Sequence, residues 1–187
     1  TLVSLPIAFF IIDLSASFEE LLEVKTSILI EASVDEVWDH VISFGQIDEP
    51  IDWLFKTGIS YPTDAHIDGE GLGATRYCNF TTGSFVEPIT TWQAPFLLQF
   101  DVVEQPVPMK EVNPFWEVHP PHLNGYFLSS KGQFELKELE NGMTLLEGTT
   151  WYQVQIIPVF YWNIWSKYIL HKIHYRVLNH IKKESEL

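Results

Sequence analysis

The chain has 187 residues, 46% of them hydrophobic, with 25 acidic side chains against 11 basic ones and a net charge of -14. That length fits one domain with a sizeable core, and that apolar content excludes a disordered chain. The acidic balance excludes recognition of a phosphate backbone, so nucleic acid is not expected as a partner, and it disfavours an anionic bilayer. Cys78 is the sole cysteine, which rules out an internal disulfide and fits a reducing, cytoplasmic setting.

Residues 1–12, TLVSLPIAFFII, are apolar up to Asp13. They fall short of the ~20 apolar residues that span a bilayer, and they lack the basic start of a signal peptide. Two readings stand side by side for residues 1–22: an apolar arm packing on the domain or a neighbour, or the remnant of an upstream membrane segment. The second would bring the protein close to a membrane through residues 1–12. Residues 23–187 read as the domain proper.

Val24 to Ala32 alternates, with Ile28 and Ile30 against Ser27 and Glu31, and predicts a half-buried strand. Ser33-Val34-Asp35-Glu36 follows as a capping box, which predicts a helix with Val37, Val41 and Phe44 inward, Trp38 beside that face, and an end near Gly45. Gln46 to Lys56, carrying Trp53, reads as a second short helix or turn. Strands are then expected at 59–67, 74–81, 84–92 and 97–103. Pro88 marks the third as an edge or a bulge. Gly69-Glu70-Gly71-Leu72-Gly73 reads as a tight connection between strands and not as a nucleotide loop, since no helix follows it.

Residues 104–124 hold Pro106, Pro108, Pro114, Pro120 and Pro121 together with Trp116, His119 and His122. So aromatic a loop is expected to close one end of the fold. Two strands follow, 126–139 and 143–156, joined through the hairpin signal Asn141-Gly142. From Pro158, placed at a first helical position, one amphipathic helix of six or seven turns is expected to run to the C-terminus. Leu170, His174, Val177, Leu178 and Ile181 share its apolar face, while Lys172, Arg176, Asn179, Lys182 and Lys183 lie opposite.

The order strand, two short helices, antiparallel strands and long C-terminal helix resembles the START-like, polyketide cyclase/dehydrase (SRPBCC) superfamily. The opening Ile28-Leu29-Ile30-Glu31-Ala32-Ser33-Val34-Asp35-Glu36-Val37-Trp38-Asp39 carries that resemblance, with Gly132 to Leu136, Gly142 to Leu146 and the final helix adding to it. The resemblance covers about Val24 to the end. It implies an α+β helix-grip fold: a curved antiparallel sheet around the C-terminal helix, with an apolar cavity between them. Members bind lipids, sterols, polyketides, quinones or plant hormones, and some catalyse cyclisation or dehydration. The superfamily has no universal catalytic motif to carry over.

Binding of a hydrophobic small molecule is therefore the expected function. Its candidate contacts are Trp53, Arg76, Phe80, Phe100, Trp116, His122, Trp151, Tyr152, Tyr168, His171 and His174. The alternatives are a cyclase or dehydratase using His171 or His174 as acid and base, with Arg76, Glu87 or Tyr152 as polar partners, and an interaction module contacting partners through residues 1–12 and Trp162/Trp165. A zinc site would need the histidines of the loop and the helix to converge, with no Cys or clear carboxylate beside them. No metal and no cofactor are expected.

Overall fold

A computed structural model describes residues 21–50, 52–110 and 125–187. Strand β1 (Leu22–Ile30) leads to helix α1 (Val34–Ile42), a 3-10 helix (Trp53–Thr57), strands β2 (Pro62–Asp68), β3 (Thr75–Phe80), β4 (Gly83–Gln93), β5 (Leu97–Asp101), β6 (Phe127–Glu138) and β7 (Thr144–Val154), and helix α2 (Val159–Ser185). The strands form one antiparallel sheet in the order β1-β7-β6-β5-β4-β3-β2. Helix α2 touches β1 and β2, the two opposite edges of that sheet. A flat sheet of seven strands could not reach one helix with both edges, so the sheet is curled and α2 lies in its hollow. This is the helix-grip architecture, and the fold is α+β.

Local signals account for most of the elements. The Ser33 hydroxyl accepts from the Glu36 N–H while the Glu36 carboxylate accepts from the Ser33 N–H, closing the capping box at the start of α1. The helix buries Val37, Trp38 and Val41 and stops at Ile42; Phe44, also buried, lies beyond it and pairs with Ala65. The second helix is only a 3-10 segment, capped by Asp52, whose carboxylate accepts from the Leu54 N–H. Pro88 stands in β4, which lies between β3 and β5, so the edge reading gives way; it pairs with Thr75 of β3 and precedes Ile89, where the register with β5 begins, next to the shift between Ile89 and Thr91. Gly142 takes φ 78° in the β6–β7 turn, a value open to glycine. Pro158 caps α2 and is not its first helical residue.

The C-terminal half of α2 packs on a solid core. Leu178 and Ile181 meet Ile30, Val37, Val41, Leu136 and Leu146, all nearly or fully buried. Each such side chain stabilises the fold by roughly 1.5–3 kcal/mol relative to exposure. The basic face is not simply solvated. Lys172 pairs with Asp52 at 2.7 Å, and Lys183 with Asp48 at 3.0 Å. Arg176 donates to the Asp48 and Pro62 carbonyls. These contacts tie residues 48–62 to α2. No helix among the described residues is long and apolar enough to cross a membrane. Residues 1–20, the arm or remnant read from the sequence, lie outside the described residues.

Candidate functional site

Under the N-terminal half of α2 the core gives way to a cavity of ≈590 Å³ between helix and sheet. The helix lines it with Trp162, Ser166, Ile169, Leu170, Ile173 and Val177, residues three and four apart on one face. Strands β3 to β7 supply the floor, and residues 105–109 supply a wall. That wall is the first part of the proline-rich loop. It is anchored where the Gln105 side chain donates to the Phe127 carbonyl and accepts from the Ser129 N–H. The mouth is marked by lining residues that are also exposed, Trp53 at 60% and Tyr161 at 45%.

The surface is largely apolar, so its polar groups stand out. Arg76 on β3 and Glu87 on β4 are opposite one another in register, and Arg76 Nη1 donates to Glu87 Oε2. Both are buried, Arg76 at 2% exposure, and both line the cavity. The guanidinium sits 5.5–5.7 Å from the ring centroids of Phe44, Phe100 and Phe134, and its Nε–H has no hydrogen-bond partner among the described residues. Burial raises the Glu87 carboxyl above its usual range, with Arg76 pulling the other way. Burial likewise opposes the Arg76 charge, but Glu87 and Cys78 beside it more than compensate. The Cys78 thiol, also in the wall, is pushed up to about 12 by burial and is no nucleophile at neutral pH.

A second polar group crosses from sheet to helix. Thr26 Oγ1 on β1 lies 2.8 Å from His171 Nδ1 and 3.0 Å from His174 Nδ1. His174 Nε2 lies 2.9 Å from Thr150 Oγ1 on β7. Burial, then the neighbouring His171, lowers the His174 pKa to about 4, so this ring is neutral at neutral pH. Nearby, the Ser166 hydroxyl donates to the Asn163 carbonyl, which leaves the Tyr152 hydroxyl to donate to Ser166 Oγ at 2.9 Å. Among the described residues no group of three or more His, Cys, Asp or Glu is placed to hold a metal ion.

Of the residues named from the sequence, Trp53, Arg76, Phe80, Phe100 and His174 line the cavity. Tyr152 is fully buried behind it, stacked on Phe127. His171 lies one turn from His174 and off the cavity, held by Thr26. Tyr168 stands on the flank of α2, with the Lys172 ammonium over its ring. Trp151 is a correction to the expected lining: strand alternation turns it away from its neighbours Thr150 and Tyr152, to the outer face, where it donates to Glu23 and carries Lys131 over its ring. Trp116 and His122 lie outside the described residues. Thr26 and Thr150 went unread in the sequence, although Thr26 interrupts the inward series Val24, Ile28, Ile30 as a polar residue in an apolar period.

No family model matches this sequence, and no curated protein is significantly similar to it. Solved structures are similar to it in fold. A protein from Chromobacterium violaceum aligns with a TM-score of 0.53 at 10% identity, over 88% of this chain and 97% of that one. A protein from Nitrosospira multiformis gives 0.51 at 15% identity, over 88% and 96%. Truncated norcoclaurine synthase from Thalictrum flavum gives 0.51 at 13% identity, over 88% and 92%. At these identities the likeness extends to the fold alone.

Proposed function

We propose, from the START-like helix-grip fold that this chain has, that the protein binds a hydrophobic small molecule of lipid, polyketide or quinone type between the sheet and α2. The observation that carries this reading is the cavity itself. Its ≈590 Å³ falls within the usual range of small-molecule sites, and its surface is largely apolar. Norcoclaurine synthase, one of the structures of the same fold, has been solved with a transition-state analogue, which supports a ligand-holding use of this architecture.

The Arg76–Glu87 end of the cavity suits a neutral part of the ligand. Arg76 and Glu87 line the cavity and together carry no net charge, so a neutral carbonyl, ether or hydroxyl group can lie beside them without an unpaired charge entering the apolar cavity at that point. Trp162 and Trp165, the surface on which a protein-interaction reading rested, contribute to the cavity lining.

The test is saturable uptake of Nile red by purified protein, set beside native mass spectrometry for a co-purified molecule. Wild type takes up about one dye per chain. Ile169→Trp, which adds bulk inside the cavity, weakens uptake at least tenfold while keeping the far-UV circular dichroism of wild type. Uptake that never saturates, or that Ile169→Trp leaves unchanged, would overturn the reading.

A further inference from the structure

From the cavity wall towards the outer side of α2 runs an unbroken line of four side chains. Thr150 Oγ1, the two ring nitrogens of His174, Thr26 Oγ1 and His171 Nδ1 follow one another at 2.9, 3.0 and 2.8 Å. Thr150 and His174 line the cavity, whereas His171 is half-buried and off it. Thr26 has one hydroxyl proton and two imidazole nitrogens to satisfy, so it donates to one and accepts from the other.

Only two neutral arrangements meet that condition. In one, Thr150 donates to His174 Nε2, His174 Nδ1–H donates to Thr26, and Thr26 donates to His171 Nδ1. In the other every bond is reversed. The two rings are therefore always opposite tautomers, and interconversion moves one proton along each bond while Thr150 takes up a proton and His171 Nε2 gives one up, the heavy atoms staying in place.

We propose that these side chains form a proton relay from the cavity to His171, and that Thr150 is the subsite for a ligand oxygen acid, an enol or a phenol. The ligand O–H bond breaks and its oxygen keeps the electron pair. Its proton goes to Thr150 Oγ1, the Thr150 proton to His174 Nε2, the His174 Nδ1 proton to Thr26, and the Thr26 proton to His171 Nδ1. The products are a ligand oxyanion and a His171 imidazolium, so atoms and charge balance. His174 begins and ends neutral, which suits a ring whose burial opposes charge.

The inward residues of β1 and β7 that oppose the pair, Val24, Thr26, Ile28, Gly148, Thr150 and Tyr152, carry no formal charge. On α2 the titratable groups in the adjoining turns are Lys167, Tyr168, Lys172 and Tyr175. Helix α1, with Asp35, Glu36, Asp39 and His40, meets the later turns, where His40 acts on His180. From the β2 side the Pro62 carbonyl is met by Arg176.

The ligand step rests on the cavity being a ligand site, but the relay is testable without a ligand. Two-bond proton–nitrogen correlation spectra of uniformly 15N-labelled protein report the tautomer of each histidine. The relay requires that His174 start as Nδ1–H; converting His171 to the cation then forces its Nδ1 to donate, so a still-neutral His174 passes to Nε2–H. Thr26→Val uncouples the two rings, and Thr26→Ser restores the coupling. A His174 tautomer that stays fixed through the His171 titration, or one that still follows it in Thr26→Val, overturns the relay. Should Thr26→Val not fold, the wild-type titration decides. Loss of coupling with Nile red uptake intact leaves the binding reading standing. Coupling without saturable uptake overturns the ligand step.

Discussion

Arg76 and Glu87 face each other at one register position of two neighbouring strands, inside the cavity and 11 residues apart in the chain. Each neutralises a charge that the other could not carry alone in an apolar surround. Arg76→Met leaves Glu87 buried and unpaired, and is expected to lower stability by about 3–5 kcal/mol. The double variant Arg76→Met/Glu87→Leu recovers most of that loss, because no lone charge remains. Urea denaturation of the three proteins checks this; a double variant no more stable than Arg76→Met would contradict it.

His174 ties stability to pH. Its folded pKa of about 4 lies below the ordinary 6.5, so the native state binds fewer protons than the unfolded chain. The contribution is fully present above pH 6.5 and is lost as pH falls towards 4. Over that window the loss is about 3 kcal/mol. His174→Gln should flatten this part of the profile, measured as urea midpoint against pH.

Gly132 holds the cavity open. A Cβ built there would lie 2.6 Å from Cε2 and Cζ of the Phe100 ring, which lines the cavity. Gly132→Ala is expected to displace that ring, to lower stability by roughly 1–3 kcal/mol, and to weaken Nile red uptake. Adding Phe100→Leu should restore stability in part, and thermal melts of the two variants compare them directly.

Tyr152 braces the helix against the sheet through Ser166. Tyr152→Phe removes that buried bond with little change of shape, and should cost about 1 kcal/mol. Hydrogen exchange reads the location: amides in the first half of α2 should lose protection, while those near Leu178 and Ile181 keep it.

The elements were legible because their signals are short. The Ser33 to Glu36 box closes over three residues, and the Asn141-Gly142 turn sits between two alternating runs. The cavity-facing set was read less evenly. Arg76, Phe80 and Phe100 fall on the inward period of their strands and line the cavity. Trp151 was included for its chemistry, though it stands one place out of phase with the inward-facing residues on either side of it. The partners of the basic side of α2 were not legible, because Asp48, Asp52 and the Pro62 carbonyl lie more than a hundred residues upstream.

By itself the sequence determined which strands and helices form and in what order, and with them the helix-grip arrangement, since caps, turns and periodicity act between near neighbours. Tertiary structure alone decided that Thr26 meets His171 across 145 residues, and that Arg76 stands buried against Glu87. The physical reason is the reach of the forces concerned. A cap or a hairpin turn is settled within a few residues. Strand register, the rotation of α2 in its hollow, and the cavity left where packing stops depend on every side chain that shares the interior.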